Sequence, residues 1–244
     1  MGISTVGELL IDDTSMLEAE EGSRIGIDPK LISVSKSPTA HLYREDVLIR
    51  PGLVQSIDSR LGPRSTKLIA IDSNLVDRVH DLGQRSLGLN PYPLSLSGEG
   101  TLSKLSRIRG ALSSTAISAD WIYALPTLPA IAWLLNYRCQ SDVPFWPVAY
   151  AYLVPSPTQC AIFVDERKVR NADLRRRWDE EGIEVRAYGV QEVGNFVKGC
   201  LAVVREKQGE KARAVVLAPQ ECSCAMSLAC SPVGDLHGNC TAFG

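Results

Sequence analysis

With 244 residues, of which 45% are hydrophobic and 22% charged, the chain can bury one large core or two small ones, and an intrinsically disordered protein is excluded. A formal net charge of −2 leaves no basic footprint for nucleic acid, so that class of partner is excluded as well. No apolar run approaches the roughly 20 residues of a membrane-spanning helix, and no basic segment leads into a hydrophobic stretch at the start. Val6 stands where a myristoylation motif takes Ser or Thr, so the expectation is a soluble, cytoplasmic protein with no membrane partner.

In chain order, Gly7 to Leu17 is an acidic amphipathic segment, and Ser23 to Ile27 is a short strand running into Asp28-Pro29. Residues 34–52 carry Pro38 and Pro51 and no clean period, as an insertion or a gene-prediction artefact would. Leu53 to Leu61 is helix-like and Thr66 to Ile71 strand-like. Residues 81–100 are rich in Gly, Pro and Ser and have the composition of a linker between domains. A helix is expected from Leu102 to Leu112, with Leu102, Leu105, Ile108 and Leu112 as its apolar stripe and Thr101 as its cap. Ala119 to Ala124 is a strand. Ile131, Leu134 and Leu135 then mark one face of a helix that stops near Tyr137.

The loop from Tyr137 to Trp146 mixes charged and aromatic residues. Val148 to Val154 and Ala161 to Val164 follow as a hairpin around Pro155 and Pro157. Arg170 to Glu181 is a charged helix ending at Gly182, Ile183 to Tyr188 an alternating strand, Gln191 to Glu206 a longer amphipathic helix, and Ala214 to Leu217 a buried strand. Strands that alternate with helices of this length favour an α/β domain, a mixed sheet with helices on its faces, over residues 101–230. The final run, 231–244, has no periodicity and is expected to be disordered.

Three blocks carry a resemblance to a known family. The first is Ile131, Ala132, Trp133, Leu134, Asn136, Arg138, Ser141, Asp142, Val143, Pro144, Pro147, Val148, Tyr152 and Leu153. The second is Gly22, Ile25, Gly26, Ile27, Asp28, Pro29, Leu31, Ile32 and Ser33, and the third Asn74, Leu75, Val76 and Asp77. In order and spacing they resemble the amino-terminal domains of aminopeptidase P, the Xaa-Pro aminopeptidases of the creatinase/prolidase superfamily. Cys139 takes the place of the family's usual glycine, and His80 that of a tryptophan. The resemblance implies a creatinase/prolidase N-terminal-like domain at 101–230, preceded over 1–80 by a partial copy of a similar domain. It also implies a full-length metallopeptidase whose carboxy-terminal pita-bread domain holds two divalent metals, commonly manganese, and cleaves before proline.

None of that domain's ligands is matched here, so no cofactor is expected in this chain. His41, His80 and His237 have no carboxylates at a matching spacing. Neither a serine-hydrolase elbow nor a dinucleotide or phosphate-binding glycine motif occurs. Of the seven cysteines, Cys139, Cys160 and Cys200 stand singly in apolar surroundings as small core residues. Cys222, Cys224 and Cys230 lack the paired spacing of a structural zinc site. The run Arg175 to Arg177 is flanked by acids and has the pattern of a solvated helix face.

The candidate binding residues are Asn136, Arg138, Asp142 and Trp146, in a loop able to contact a ligand or a partner. The alternative for the same residues is structural, with Arg138 pairing with Asp142 or capping the preceding helix and the aromatics closing the core. The expected function is a non-catalytic binding or assembly module of the aminopeptidase P kind. Its expected partner is another protein or a second copy, engaged through the unpaired edges of the incomplete first domain. A stand-alone small-molecule enzyme, of lyase or isomerase type, with a pocket near 137–146 is the other reading.

Overall fold

The computed structural model describes residues 4–5, 23–30, 67–71, 88–115, 120–143, 145–208, 214–219 and 222–230. The expectations placed on 34–52, on the helix-like segments at 7–17 and 53–61, on the block from Ser73, on all three histidines and on the tail 231–244 lie outside the described residues. The chain divides into two compact units, Met1–Gly83 with Gln220–Leu228, and Gln84–Pro219 with Ala229–Gly244.

In the first unit, β1 (Ser4–Thr5), β2 (Arg24–Ile27) and β3 (Lys67–Ala70) form a parallel sheet in that order. β2 ends where the Asp28 carboxylate accepts the Lys30 backbone N–H at 2.9 Å, a local turn that competes with further strand pairing.

The second unit begins with β4 (Asn90–Pro91), α1 (Leu94–Ser97) and α2 (Thr101–Thr115). Next come β5 (Asp120–Tyr123), α3 (Leu128–Leu134) and β6 (Tyr137–Arg138). The hairpin strands are β7 (Ala151–Pro155) and β8 (Cys160–Val164), followed by α4 (Ala172–Glu180) and β9 (Ile183–Arg186). Finally come α5 (Val190–Gln208) and β10 (Ala214–Leu217). A short helix, α6 (Cys224–Cys230), closes the described chain, its residues up to Leu228 being counted with the first unit.

β10 pairs in parallel with β5, β7 pairs antiparallel with β8, and β8 pairs in parallel with β9. Reciprocal backbone bonds between Leu125, just after β5, and Leu153 of β7, at 2.8 and 3.0 Å, form an isolated antiparallel bridge that links the β10-β5 pair to the β7-β8-β9 sheet.

Register decides which residues share a face. Leu153 lies opposite Ile162, and Ile162 opposite Val185, on the side that packs into one core with Leu134, Leu135, Leu174 and Trp178 of the α3 and α4 regions. The next position along, Phe163, points the other way and meets Phe196 of α5 edge to face at 5.7 Å between ring centroids. All five residues of β8 are buried, as a central strand covered on both faces requires.

Three expectations need correction. The residues 88–100 are not a bare linker: Leu89 is buried in the main core, β4 pairs with β6, and Gly88 lies so close to Lys168 that a Cβ there would meet its carbonyl oxygen at 3.0 Å. Their Gly and Pro content serves that close approach and the left-handed end of α1 at Gly98 (φ +73°). Secondly, α3 ends at Leu134, short of Tyr137, because Asn136 adopts φ +49° and Tyr137–Arg138 is extended. Thirdly, Leu102 is exposed and Thr101 lies within α2, whose inward face carries Lys104 beside Leu105.

Candidate functional site

The carboxy-terminal end of α3 leaves carbonyls without intrahelical partners, a local negative pole. Cations from three directions meet it. Lys104 donates from Nζ to the Trp133 carbonyl and to the Asn136 Oδ1, both at 2.7 Å. The Arg138 guanidinium donates to the Tyr137 carbonyl at 2.8 Å and to that of Ala132 at 3.4 Å, and it lies 3.9 Å from the centroid of the Tyr92 ring. From α4, Arg177 reaches the carbonyls of Asn136 (2.7 Å) and Leu135 (3.2 Å), and the Trp178 indole N–H adds a bond to Leu135 at 3.3 Å. Arg177 is therefore not part of a solvated face, although Arg176 is exposed and pairs with Asp173 and Glu180 of its own helix.

Asn136 holds the centre of this arrangement. Its left-handed backbone is one that Asn tolerates better than most residues. The side chain is buried, accepting from Lys104 and donating to the Glu99 carbonyl at 2.9 Å, and its own carbonyl accepts the Tyr92 N–H at 2.7 Å. Lys104 is completely buried, with its ammonium 4.4 Å from the Trp133 ring centroid; burial lowers its pKa from the usual lysine value.

Asp142 is also buried, and its partner is not Arg138. One oxygen forms an ion pair with Lys168 and accepts from the Ser141 hydroxyl; the other accepts the Tyr150 backbone N–H at 2.9 Å. The loop from Asp142 to Tyr150 is thus closed at its neck by one carboxylate. Lys168 also accepts the Leu89 N–H at 2.8 Å on its carbonyl, so the same residue ties residues 88–89 to the loop.

Within the loop, Trp146 donates its backbone N–H to the Val143 carbonyl at 3.3 Å across a turn in which Phe145 has φ +65°. Phe145 is fully exposed, and Trp146 is 58% exposed. The aromatics of this loop do not close the core. Of the four candidate residues, Asn136 and Arg138 build the α3 end, Asp142 clamps the loop, and Trp146 faces outward.

Two groups escaped sequence reasoning, the buried Lys104 and a tyrosine cluster beside the loop. Tyr152 of β7 stacks on Tyr188, with ring centroids 5.4 Å apart and planes within 6°. Their hydroxyls share a hydrogen bond, and burial followed by Tyr152, Tyr150 and Asp142 raises the Tyr188 pKa well above the usual phenol value. The i, i+2 spacing of Tyr150 and Tyr152 on one strand face was the available signal. Buried thiols offer no nucleophile, since Cys139, Cys160 and Cys200 are all buried and burial pushes the Cys160 thiol up to about 12.

This geometry belongs to a recognisable class. Residues 85–239 match the family model of the Creatinase/Prolidase N-terminal domain, and the chain belongs to that family. Among curated relatives it is 29% identical to a "Probable Xaa-Pro aminopeptidase P" of Pyricularia oryzae, over 82% of this chain and 30% of the relative. It is 33% identical to aminopeptidase P2 of Arabidopsis thaliana, over 77% of this chain and 23% of the relative. The chain therefore spans less than a third of either protein. The X-prolyl aminopeptidase of Caenorhabditis elegans, described as a cytosolic enzyme with a di-nuclear active site, shares the fold with a TM-score of 0.70 at 22% identity. That likeness covers 94% of this chain and 33% of the C. elegans chain.

Among the described residues no three His, Cys, Asp or Glu side chains converge to hold a metal ion. No helix of the described residues is long and apolar enough to cross a membrane.

Proposed function

We infer that this chain serves as a non-catalytic binding and assembly module of the Xaa-Pro aminopeptidase P kind. The observation that carries the reading is where the likeness falls: an N-terminal domain family over 85–239, and less than a third of each relative. Within the match, the polar side chains of Asn136, Arg138 and Asp142 are bonded to neighbouring backbone and to Lys104 and Lys168, which is how a scaffold is held rather than how a reacting group is aimed. A stand-alone small-molecule enzyme near 137–146 has less support for the same reason.

In a complete relative, divalent metal such as manganese would belong to the part of the protein that this chain does not match. The cytosolic C. elegans neighbour supports a cytoplasmic location. The purified chain, given an Xaa-Pro peptide and added manganese, is expected to release no amino-terminal residue. Turnover that persists after contaminating proteases are removed overturns the reading, and recovery of the tagged chain in an organelle fraction overturns the location.

A further inference from the structure

Tyr152 and Tyr188 make a contact that strand order alone does not provide. Tyr152 of β7 lies opposite Phe163 of β8, and Phe163 opposite Arg186 of β9, so a whole strand separates β7 from β9. Tyr188 lies just past the end of β9, and its ring nonetheless stacks on that of Tyr152, with centroids 5.4 Å apart and planes 6° from parallel. The chain after β9 therefore turns back across β8 to reach β7. The two hydroxyls also share a hydrogen bond, which aligns the rings end to end as well as face to face.

That alignment has a chemical meaning. In a phenol that has lost one electron and its hydroxyl proton, the carbons flanking the C–O bond carry much of the unpaired electron. Parallel rings whose hydroxyls are bonded to each other bring an ortho carbon of one ring near an ortho carbon of the other. Neither ring has to leave its place to meet its partner. Tyr188 is 47% exposed, so a small oxidant in solution reaches one member of the pair. Burial, then the neighbouring Tyr152, Tyr150 and Asp142, hold its hydroxyl in the protonated form, so electron and proton leave together. Tyr137 and Tyr92 are placed differently: the Tyr137 ring is buried and meets Trp178 edge to face at 5.9 Å, and the Tyr92 ring is covered by the Arg138 guanidinium.

We propose that Tyr152 and Tyr188 form an oxidative modification site, at which a one-electron oxidant couples the two phenols into an intramolecular dityrosine. Each ring gives one electron to the oxidant and its hydroxyl proton to water. The two phenoxyl radicals join through a carbon–carbon bond between ortho positions. Each of those carbons then releases its hydrogen as a proton while the ring oxygen takes one up, restoring both phenols. The net change is the loss of two electrons, accepted by two equivalents of oxidant, and of two protons. The product staples β7 to the segment after β9 across β8, and so constrains the unfolded chain as any covalent cross-link does. The site is independent of whether the chain binds or cleaves peptides.

The test treats the dilute full chain with two equivalents of hexachloroiridate(IV), an outer-sphere one-electron oxidant. The expected product is a monomer on a denaturing gel, with dityrosine fluorescence, a mass lower by two hydrogen atoms, and one cross-linked peptide pair containing Tyr152 and Tyr188. It is expected to unfold at higher urea than the untreated chain. Tyr152→Phe and Tyr188→Phe are each expected to lose the fluorescence and Tyr150→Phe to keep it, with circular dichroism checking that each variant is folded. Should one Phe variant not fold, the other carries the comparison. The urea-unfolded wild type is expected to lose the selective pairing, because the fold is what aligns the rings.

Oxidant consumed by the folded chain without dityrosine, a link mapped to any other pair, or fluorescence that persists in Tyr188→Phe overturns the site. Equal Tyr152–Tyr188 coupling in the unfolded chain does so too, and an unchanged urea midpoint overturns the staple.

Discussion

Lys104 has a fully buried side chain whose ammonium is bonded to two neutral oxygens, with no carboxylate among those partners. Losing water costs the charged form, while the Trp133 carbonyl at the negative end of α3 and the ring below it return part of that cost. Removing the ammonium therefore leaves the Asn136 Oδ1 and the Trp133 carbonyl without it, and Lys104→Met is expected to destabilise the chain by about 1–3 kcal/mol. The pH dependence has a defined sign. Desolvation holds the folded-state pKa of Lys104 below its unfolded value, so between the two the unfolded chain binds more protons and stability rises with pH. The penalty is fully present below the folded pKa and is relieved as pH climbs towards the unfolded one. Urea titrations at increasing alkaline pH are expected to show this rise in the wild-type chain relative to Lys104→Met. A difference that shrinks or stays flat over that range would count against the assignment.

At the scale of elements, α4 shows why most of the second unit was legible. The Asn171 side chain caps its start, accepting the N–H groups of Asp173 and Leu174 at 3.1 Å, and Gly182 follows its end at φ +69°. Both signals are local; the sequence reading uses the glycine for the end but begins the helix at Arg170, ahead of the Asn171 cap. Gly182→Ala has open space for its methyl group, so its cost is the left-handed backbone alone, about 1–2 kcal/mol, measurable as a shift in the urea midpoint without a change in slope. A midpoint that does not move would mean the turn relaxes. The same logic made β7, β8, β9 and α5 readable, because each is long enough to show its period.

What the sequence hid depended on distance along the chain. β4 and β6 have two residues each, too few for a period, and exist because Asn90 meets Arg138 and Pro91 meets Tyr137. Lys104 looked outward because lysine usually does; its partner lies 32 residues away. Asp142 was recognisable as special, but nothing local distinguishes Lys168 from Arg138 as its counter-ion.

For the second unit as a whole, the sheet divides the apolar interior. Leu174 belongs to the core between the sheet and the α3 and α4 side, and Phe196 packs on Phe163 on the opposite face. Close-packed interiors transmit a deletion to immediate neighbours, and a sheet buried on both sides separates these two sets of neighbours by a full backbone layer. Leu174→Ala is expected to cost about 2–5 kcal/mol and Phe196→Ala about 3–5 kcal/mol, each through lost burial plus the cavity left behind. If the layers are independent, the double variant loses the sum to within about 0.5 kcal/mol. Should the single variants prove too unstable to combine, Ile183→Val and Val197→Ala sample the two sides more gently, since both residues are buried and only Ile183 is part of the first core. Equilibrium urea unfolding of the wild type, both single variants and the double gives the coupling directly. A coupling above about 1 kcal/mol would show that the two cores relax as one, and that the sheet bends to fill a cavity on either face.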